Sequence, residues 1–200
     1  MLISKLRIGV TMRILQAEGY DEPRDALASV WASFLNTALP EAIWMPLPNI
    51  GRDSIKAYCE QWGINRLILS GGEDFGVSPM RDETEHQLLV WAAEHKIPVL
   101  GVCRGMQMMA AHKGVSLKLV DGHVRKRHTL QGSLTHEVNS YHRYSLTECP
   151  QDFVVTAQAE DGEIESIKHS ALQWEGWMWH PERETPFNPI DIDRLKALFK

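Results

Sequence analysis

The sequence predicts an α/β fold with a largely parallel central sheet and an antiparallel addition. The first half alternates short apolar strands with amphipathic helices, a pattern that implies parallel pairing through right-handed crossovers. The second half has strand candidates in succession, with the hairpin signal Asp161-Gly162 between two of them. A length of 200 residues is near that of one domain, so we expect a single domain over residues 1–200.

Four strands are predicted in the first half because each segment is short, apolar and rich in β-branched residues: 6–11, 42–47, 66–70 and 97–102. Pro46 indicates that the second strand lies at an edge of the sheet. Helices are predicted where apolar residues recur every three or four positions: 25–39, 55–62, 82–95 and 105–112. Gly63 is expected to end the second helix, and Asp82 with Glu85 has capping-box spacing in the third.

The second half continues with further short strands and one helix. The predicted strands are 137–139, 154–159, 164–169 and 174–180. A final helix over 190–199 follows two prolines. The chain therefore changes from alternating α and β elements to mainly β structure.

Composition excludes several classes of protein. Hydrophobic residues make up 44% and charged residues 24% of the chain, as in ordinary globular proteins and unlike disordered ones. The net charge of −5 argues against a nucleic-acid partner. Lys5 and Arg7 interrupt the apolar N-terminus, and the apolar run at 97–103 is too short to cross a bilayer. Three widely spaced cysteines indicate reduced thiols, so we expect a cytoplasmic protein without a membrane partner.

The motif Gly101-Val102-Cys103-Arg104-Gly105 lies between a predicted strand and a predicted helix. It has the pattern of a nucleophile elbow with cysteine in the nucleophile position. Glycines two residues to either side leave room for the tight turn, and the positive end of the helix dipole favours the thiolate. The alternative is a buried structural cysteine.

His180-Pro181-Glu182 supplies a base for this cysteine. Because proline disfavours helical geometry before it, we expect His180 and Glu182 to be extended and to share one face. Glu182 is then placed to accept the ring N–H of His180, as the third member of a triad does. A histidine and a glutamate on a surface loop are the alternative.

The segment Ser70-Gly71-Gly72-Glu73-Asp74 directly follows a predicted strand. Its glycines allow backbone N–H groups to approach a ligand closely. The N–H groups of Gly72 and Arg104 are predicted to form an oxyanion hole, and a simple tight turn is the alternative. Nine histidines have none of the usual metal-ligand spacings, so we expect neither a metal nor a cofactor.

Together these motifs resemble the class I glutamine amidotransferase-like superfamily, in particular its stand-alone γ-glutamyl hydrolases, among them the γ-glutamyl-γ-aminobutyrate hydrolase family. The matching segments are LSGGED, RDETE, PVLGVCRGMQMM, VNSYH, EDGEIESIKH and GWMWHPERE. The resemblance implies a three-layer, flavodoxin-like sandwich. It also implies a Cys103, His180 and Glu182 triad with oxyanion donors at Gly72 and Arg104. Gln107, Ser140 and Tyr141 match the positions that hold the glutamyl group.

The implied reaction is hydrolysis of a γ-glutamyl amide to glutamate and an amine. The segment at 20–35, the short stretch at 115–135 and HVRKRH are similar to γ-glutamyl-CDP-amidate hydrolases, which act in making phosphoramidate-decorated capsular polysaccharide. Arg125 and Arg127 are predicted to contact an anionic leaving group, with a solvated loop as the alternative.

Two other functions remain open from the sequence. One is a glutaminase subunit that delivers ammonia to a partner synthetase, and the other is a non-catalytic protein that binds a γ-glutamyl ligand. The intact set of Cys103, His180 and Glu182 argues against the second. The expected partner is a small γ-glutamyl substrate, and assembly as a homodimer is left open.

Overall fold

A computed structural model describes residues 6–200, so the interpretation of Lys5 lies outside the described residues. These residues form fourteen strands, five α-helices and one short 3₁₀ turn. In chain order the elements are β1 (Arg7–Thr11), β2 (Arg13–Gln16), β3 (Pro23–Ala26), α1 (Val30–Ala38), β4 (Ile43–Leu47), α2 (Arg52–Trp62), β5 (Arg66–Leu69), α3 (Pro79–His95), β6 (Val99–Val102), α4 (Arg104–His112), β7 (Leu117–Leu119), β8 (Val124–Thr129), β9 (Gln131–Gly132), β10 (Glu137–Tyr141), β11 (Tyr144–Leu146), β12 (Phe153–Gln158), β13 (Ile164–His169), β14 (Trp174–Trp177), the 3₁₀ turn (Pro181–Arg183) and α5 (Pro189–Phe199).

Eight strands form the central sheet in the order β4-β1-β5-β6-β14-β13-β12-β9. The first five pair in parallel, and the strands from β14 to β9 pair antiparallel. This confirms the predicted class of a mainly parallel sheet with an antiparallel addition. The strand that contains Pro46 lies at the edge, where a missing backbone N–H costs no ladder hydrogen bond.

Helices cover both faces of the sheet and give the expected three layers. One apolar cluster packs α2, α3 and α4 onto the sheet through side chains such as Ile55, Leu88 and Met106. The other packs α1 and α5 onto the opposite face through side chains such as Phe34 and Phe199. Parallel strands that are buried on both faces have continuous apolar sequences. The parallel strands are therefore clearly recognisable in the sequence.

Some predicted element boundaries are wrong. The first helix begins at Val30 because Pro23–Ala26 instead pairs with β2 as an antiparallel hairpin. The third helix begins at Pro79, three residues earlier than predicted, and its capping box is absent. Asp82 accepts the N–H of Gly76 (3.0 Å) and a hydrogen bond from Arg104, so its carboxylate serves other contacts. The last predicted strand, 174–180, ends at Trp177.

The small antiparallel pairs are also missing from the sequence prediction. The basic run at 125–127, for which a solvated loop was the alternative to a leaving-group contact, lies on strand β8. This strand pairs with β10, and β7 pairs with β11. Strand β8 carries mostly polar side chains, and β7 and β11 have only three residues each, so neither pair contains the apolar runs of the central sheet. Among the described residues, no helix combines the length and the apolar character that a membrane span requires.

Candidate active site

Three neighbouring parallel strands bring the predicted site residues to one edge of the sheet. In the register of β5, β6 and β14, Leu69 and Gly176 both lie beside Gly101. The loops that follow these strands contain Ser70, Cys103 and His180, respectively. The carboxyl ends of parallel strands are the usual location of sites in open α/β sheets.

Cys103 occupies the predicted elbow between β6 and α4. Its backbone has φ 51° and ψ −104°, outside the regions that ordinary residues prefer, and its N–H donates to the carbonyl of Trp177 (2.7 Å). A Cβ on Gly101 would lie 2.6 Å from the carbonyl carbon of Gly105, and a Cβ on Gly105 would lie 2.1 Å from the carbonyl oxygen of Leu69. Both glycines are therefore required by close backbone packing.

The start of α4 directs unpaired backbone donors toward the elbow. The N–H of Gln107 is the first in this helix to reach an acceptor four residues back, the carbonyl of Cys103 (3.1 Å). The preceding helical N–H groups, beginning with that of Arg104, have no acceptor within the helix. The Arg104 N–H is therefore not used by the helix itself, and its role as an oxyanion donor stays a prediction.

His180 and Glu182 form a direct buried contact. The Nδ1 of His180 lies 2.7 Å from Oε1 of Glu182, and both residues are 2% exposed. The contact was predicted, but one of its reasons is wrong. His180 is extended, whereas Glu182 lies in the 3₁₀ turn Pro181–Arg183, and the turn brings the carboxylate back to the ring.

The electrostatics of His180 favour the imidazolium. Burial lowers the pKa of His180, but the charges of Glu182 and Cys103 and hydrogen bonds to both outweigh it and raise the pKa to about 9. The ring is therefore protonated at neutral pH and interacts with both the carboxylate and the sulfur. Such an imidazolium can protonate a leaving amine.

Asn139 holds the backbone of His180, a contact that sequence reasoning did not identify. Its amide nitrogen donates to the carbonyl of His180 (2.7 Å), and its amide oxygen accepts the N–H of His180 (3.0 Å). Glu184 accepts both the N–H and the side-chain amide of Asn139 (3.1 and 2.7 Å). The segment VNSYH was noted as a motif, but its pairing with residue 180 requires the fold.

The two glycines after β5 pack against charged groups of the site. A Cβ on Gly71 would lie 2.5 Å from Cε1 of His180. A Cβ on Gly72 would lie 2.2 Å from Nη1 of Arg81. This loop therefore packs directly against the His180 ring, and a side chain at residue 71 would collide with that ring.

A buried ion network lies beneath the glycine loop and the elbow. Glu85 accepts Nε of Arg81 (3.0 Å) and the hydroxyl of Thr11 (2.7 Å), and it also binds the guanidinium of Arg104. Arg81 in turn donates to Glu73 (2.7 Å) and to the carbonyl of Ser70 (2.8 Å). Burial would raise the pKa of Glu85, but the two guanidinium charges hold it below its usual range.

Glu85→Gln is expected to lower the free energy of unfolding by about 3–5 kcal/mol, because it leaves buried guanidinium groups without their shared carboxylate. The midpoint of chemical denaturation measures this loss. Glu83→Gln on the same helix is the control, since Glu83 pairs with Arg52 at the surface and its loss is expected to leave the midpoint almost unchanged. Equal shifts for both variants would contradict a special role for the network.

The three residues predicted to bind the glutamyl group differ in their burial and contacts. Gln107 is buried, and its amide donates to the carbonyl of Tyr144 (2.9 Å). The hydroxyl of Ser140 donates to the carbonyl of His123 (2.6 Å), so only its backbone is available to a ligand. The exposed ring of Tyr141 meets the His180 ring edge-on at 5.8 Å, beside the reacting groups.

The two predicted leaving-group arginines differ in their partners. Arg127 binds Glu137 and Glu184 (3.0 Å to the second), so its guanidinium already carries two carboxylate contacts. Arg125 is exposed and has φ 56° on β8. Glu184 links Arg127 to the Asn139 contact with His180, which brings this end of the basic run close to the histidine.

Comparison with known proteins identifies the family of the chain. The sequence model of the family described as glutamine amidotransferase class-I matches residues 44–189. A γ-glutamyl-CDP-amidate hydrolase of Campylobacter jejuni is 33% identical over 198 residues, which cover 96% of each chain.

More distant relatives share parts of the chain or the fold alone. One chain of the glutamine-hydrolyzing GMP synthase of Methanopyrus kandleri is 31% identical over 146 residues, covering 67% of this chain and 74% of that one. The crystal structure of a glutamine amidotransferase from Thermotoga maritima superposes with a TM-score of 0.70 at 16% identity, covering 98% of this chain and 84% of the other. At that identity the likeness shows the fold.

Proposed function

Because this chain belongs to the class I glutamine amidotransferase family, we propose that it is a cysteine-dependent hydrolase that cleaves a γ-glutamyl amide into glutamate and an amine. The observation that carries the proposal is the buried His180–Glu182 pair, whose imidazolium interacts with the Cys103 sulfur. A structural cysteine has no need of such a pair. The charge arrangement is that of an activated nucleophile with a proton donor beside it.

The reaction proceeds through a thioester. The Cys103 thiolate attacks the γ-carbonyl carbon, and the N–H groups of Gly72 and Arg104 bind the oxyanion. His180 gives its proton to the leaving nitrogen as the C–N bond breaks. Water then attacks the thioester with His180 as base, releasing glutamate and restoring the thiolate and imidazolium. Glu182 orients the ring and stabilises its charge.

The substrate we propose is γ-glutamyl-CDP-amidate, which yields glutamate and cytidine diphosphoramidate. This rests on the named relative from Campylobacter jejuni, whose identity of 33% extends over nearly the whole of both chains. A match confined to the catalytic core would support the reaction class alone. Here the alignment covers 96% of each chain and so extends well beyond the strands and loops around Cys103 and His180.

A glutaminase subunit is the second candidate, supported by the 31% identity to the Methanopyrus kandleri GMP synthase chain over 67% of this chain. The two functions differ in what the isolated protein does. A stand-alone hydrolase turns over its substrate without a partner, whereas a glutaminase subunit uses glutamine and depends on its synthetase.

An assay of glutamate release by the purified chain distinguishes the two functions. The substrates are a panel of γ-glutamyl amides that includes glutamine and γ-glutamyl-CDP-amidate. We expect the highest kcat/KM on the nucleotide amidate with no second protein present. Preference for glutamine, or turnover only after addition of a synthetase, would overturn the proposal.

Arg125→Ala combined with Arg127→Ala is expected to reduce kcat/KM on γ-glutamyl-CDP-amidate by roughly 10- to 150-fold, because one charge-assisted phosphate contact contributes about 1.5–3 kcal/mol. Turnover of a neutral γ-glutamyl amide should barely change. Steady-state kinetics on both substrates measures the difference, with Lys196→Ala, a surface cation on α5, as the control. An equal loss on both substrates, or none on either, would leave the basic run as a solvated strand.

A further inference from the structure

A second cluster of chemically active side chains lies away from Cys103, behind the segment that contains Ser140. His123, His128, His142 and Glu165 each offer one ligand atom, and these atoms all lie within 4.8 Å of one another. His123 precedes β8, His128 lies on it, His142 directly follows β10, and Glu165 lies on β13. Because the four residues come from three strand regions, their spacing along the sequence resembles no metal motif.

The distances within the cluster match a tetrahedral metal site. Oε1 of Glu165 lies 3.4 Å from Nδ1 of His123, 3.3 Å from Nε2 of His128 and 3.2 Å from Nε2 of His142. The two nitrogens of His123 and His142 are 3.2 Å apart. A tetrahedral Zn²⁺ with bonds of about 2.0–2.1 Å holds neighbouring ligand atoms about 3.4 Å apart.

The outer nitrogens of two of these histidines have partners that fix the ring orientation. Nδ1 of His142 lies 3.0 Å from the carbonyl of Tyr144, which can only accept, so Nδ1 is the donor and the inner nitrogen, Nε2, is the one placed to bind a metal. Nε2 of His123 lies 2.9 Å from a carboxylate oxygen of Asp161. Metal-binding histidines are usually held by such carbonyl and carboxylate partners.

Two buried polar atoms of the cluster are left unsatisfied by the protein. Nε2 of His128 is buried near Glu165 without a hydrogen bond of acceptable geometry, and Oε2 of Glu165 is buried with no hydrogen-bond partner among the described residues. Glu165 is fully buried and His142 nearly so. Buried polar atoms without partners indicate an occupant that protein atoms do not supply.

We propose that His123, His128, His142 and Glu165 bind one divalent transition-metal ion, with Zn²⁺ as the metal that this donor set fits best. Three imidazole nitrogens and one carboxylate oxygen suit zinc, and four protein ligands make a closed, structural site. The ion would join β8, β10 and β13 directly. Because the Ser140 hydroxyl donates to the carbonyl of His123, it would also fix the segment that packs against His180.

An ion has a route to this site from solvent. His123 and His128 line a surface pocket of about 240 Å³ whose wall also contains Asp161. The metal would enter beside the Asp161 carboxylate and pass inward to Glu165. An entry path is one of the features that distinguish a usable metal site from a buried hydrogen-bond network.

The test uses untagged protein stripped with a chelator, in a Cys103→Ala background that removes the nucleophilic thiolate as a competing ligand. Zn²⁺ affinity is measured by competition with a chromophoric chelator, and the amount bound is measured by elemental mass spectrometry after dialysis. We expect one tightly bound ion per chain. Co²⁺ in its place should give the visible absorption of a tetrahedral centre, without thiolate charge-transfer bands.

Variants distinguish this site from adventitious binding. His128→Gln, the least buried of the four ligands, should abolish stoichiometric binding, and Asp161→Asn should weaken it by about 10- to 100-fold. His136→Gln is the matched control, since His136 is similarly exposed and contacts Asp191 outside the cluster. Asp161 is mainly exposed, so its variant keeps the test valid if His128→Gln fails to fold.

Two outcomes would overturn the proposal. One is that the folded wild-type protein binds no stoichiometric Zn²⁺. The other is that His128→Gln and Asp161→Asn bind it as well as the His136→Gln control does. Either result would mean that the four residues form a hydrogen-bonded cluster without a metal. Because the readout is metal content and absorption, failure here is separate from failure of the proposed hydrolysis.

Discussion

Replacing Cys103 by alanine is expected to lower hydrolysis by at least about 10⁴-fold while leaving the fold intact, because only this thiolate forms the acyl-enzyme. The residue lies on the β6–α4 elbow with His180 in contact, and the change to alanine removes only the sulfur atom. Steady-state turnover of a γ-glutamyl amide measures the loss, and circular dichroism checks the fold. Substantial residual activity would exclude Cys103 as the nucleophile.

The other two cysteines provide matched controls. Burial raises the pKa of Cys59 to about 12 and also raises the pKa of Cys149, so both remain thiols at neutral pH. Cys59→Ala and Cys149→Ala should therefore retain activity, and iodoacetamide should label Cys103 first. Loss of turnover in folded Cys59→Ala, with activity kept in Cys103→Ala, would show that the elbow has been misinterpreted.

His180→Ala is expected to reduce turnover at least as severely as any change at Glu182, because it removes the group that transfers the proton. Glu182→Gln should lower kcat with little change in substrate affinity, since an amide still contacts the ring but does not stabilise its charge. The double variant should lose little more than His180→Ala alone, as expected for residues that act as one unit. Fully additive losses would place Glu182 outside that unit.

The pH profile gives an independent test of the same pair. The pKa of His180 is raised to about 9, so the imidazolium is retained at neutral pH and lost as the pH rises through that value. Activity that needs the protonated ring should fall over the same range. Glu182→Gln removes one of the charges that raise this pKa, so the alkaline limb should move to lower pH. An unmoved limb would mean that the carboxylate does not act through the ring.

The central sheet and the local geometry around Cys103 could be predicted because both depend on local patterns. Buried parallel strands are continuous apolar runs, and the elbow requires glycines two residues either side of the nucleophile. Gly101 and Gly105 could thus be interpreted without any knowledge of the rest of the fold. The contact of His180 with Glu182 was also predicted, since the two residues are close along the chain.

The contacts that the sequence did not reveal join distant segments. Asp82 and Glu85 have the spacing of a helix cap. The fold brings Arg104 beside them, and its guanidinium forms ion pairs with both carboxylates. The hydrogen bonds between the Asn139 side chain and the His180 backbone join residues that are 41 positions apart in the chain. The cluster around Glu165 forms only when polar antiparallel strands pair, and the composition of such strands gives little indication of strand structure or pairing register.

The left-handed backbone of Cys103, the nucleophile of the proposed mechanism, makes this a position where natural selection for activity would oppose selection for stability. A glycine adopts φ 51° without the steric penalty of a Cβ, and such penalties are on the order of 1–3 kcal/mol. A lineage released from the need for hydrolysis would therefore gain by mutating residue 103 toward glycine. A cysteine that is retained at this position in a relative would then indicate continued selection for hydrolysis, since packing alone would not preserve it.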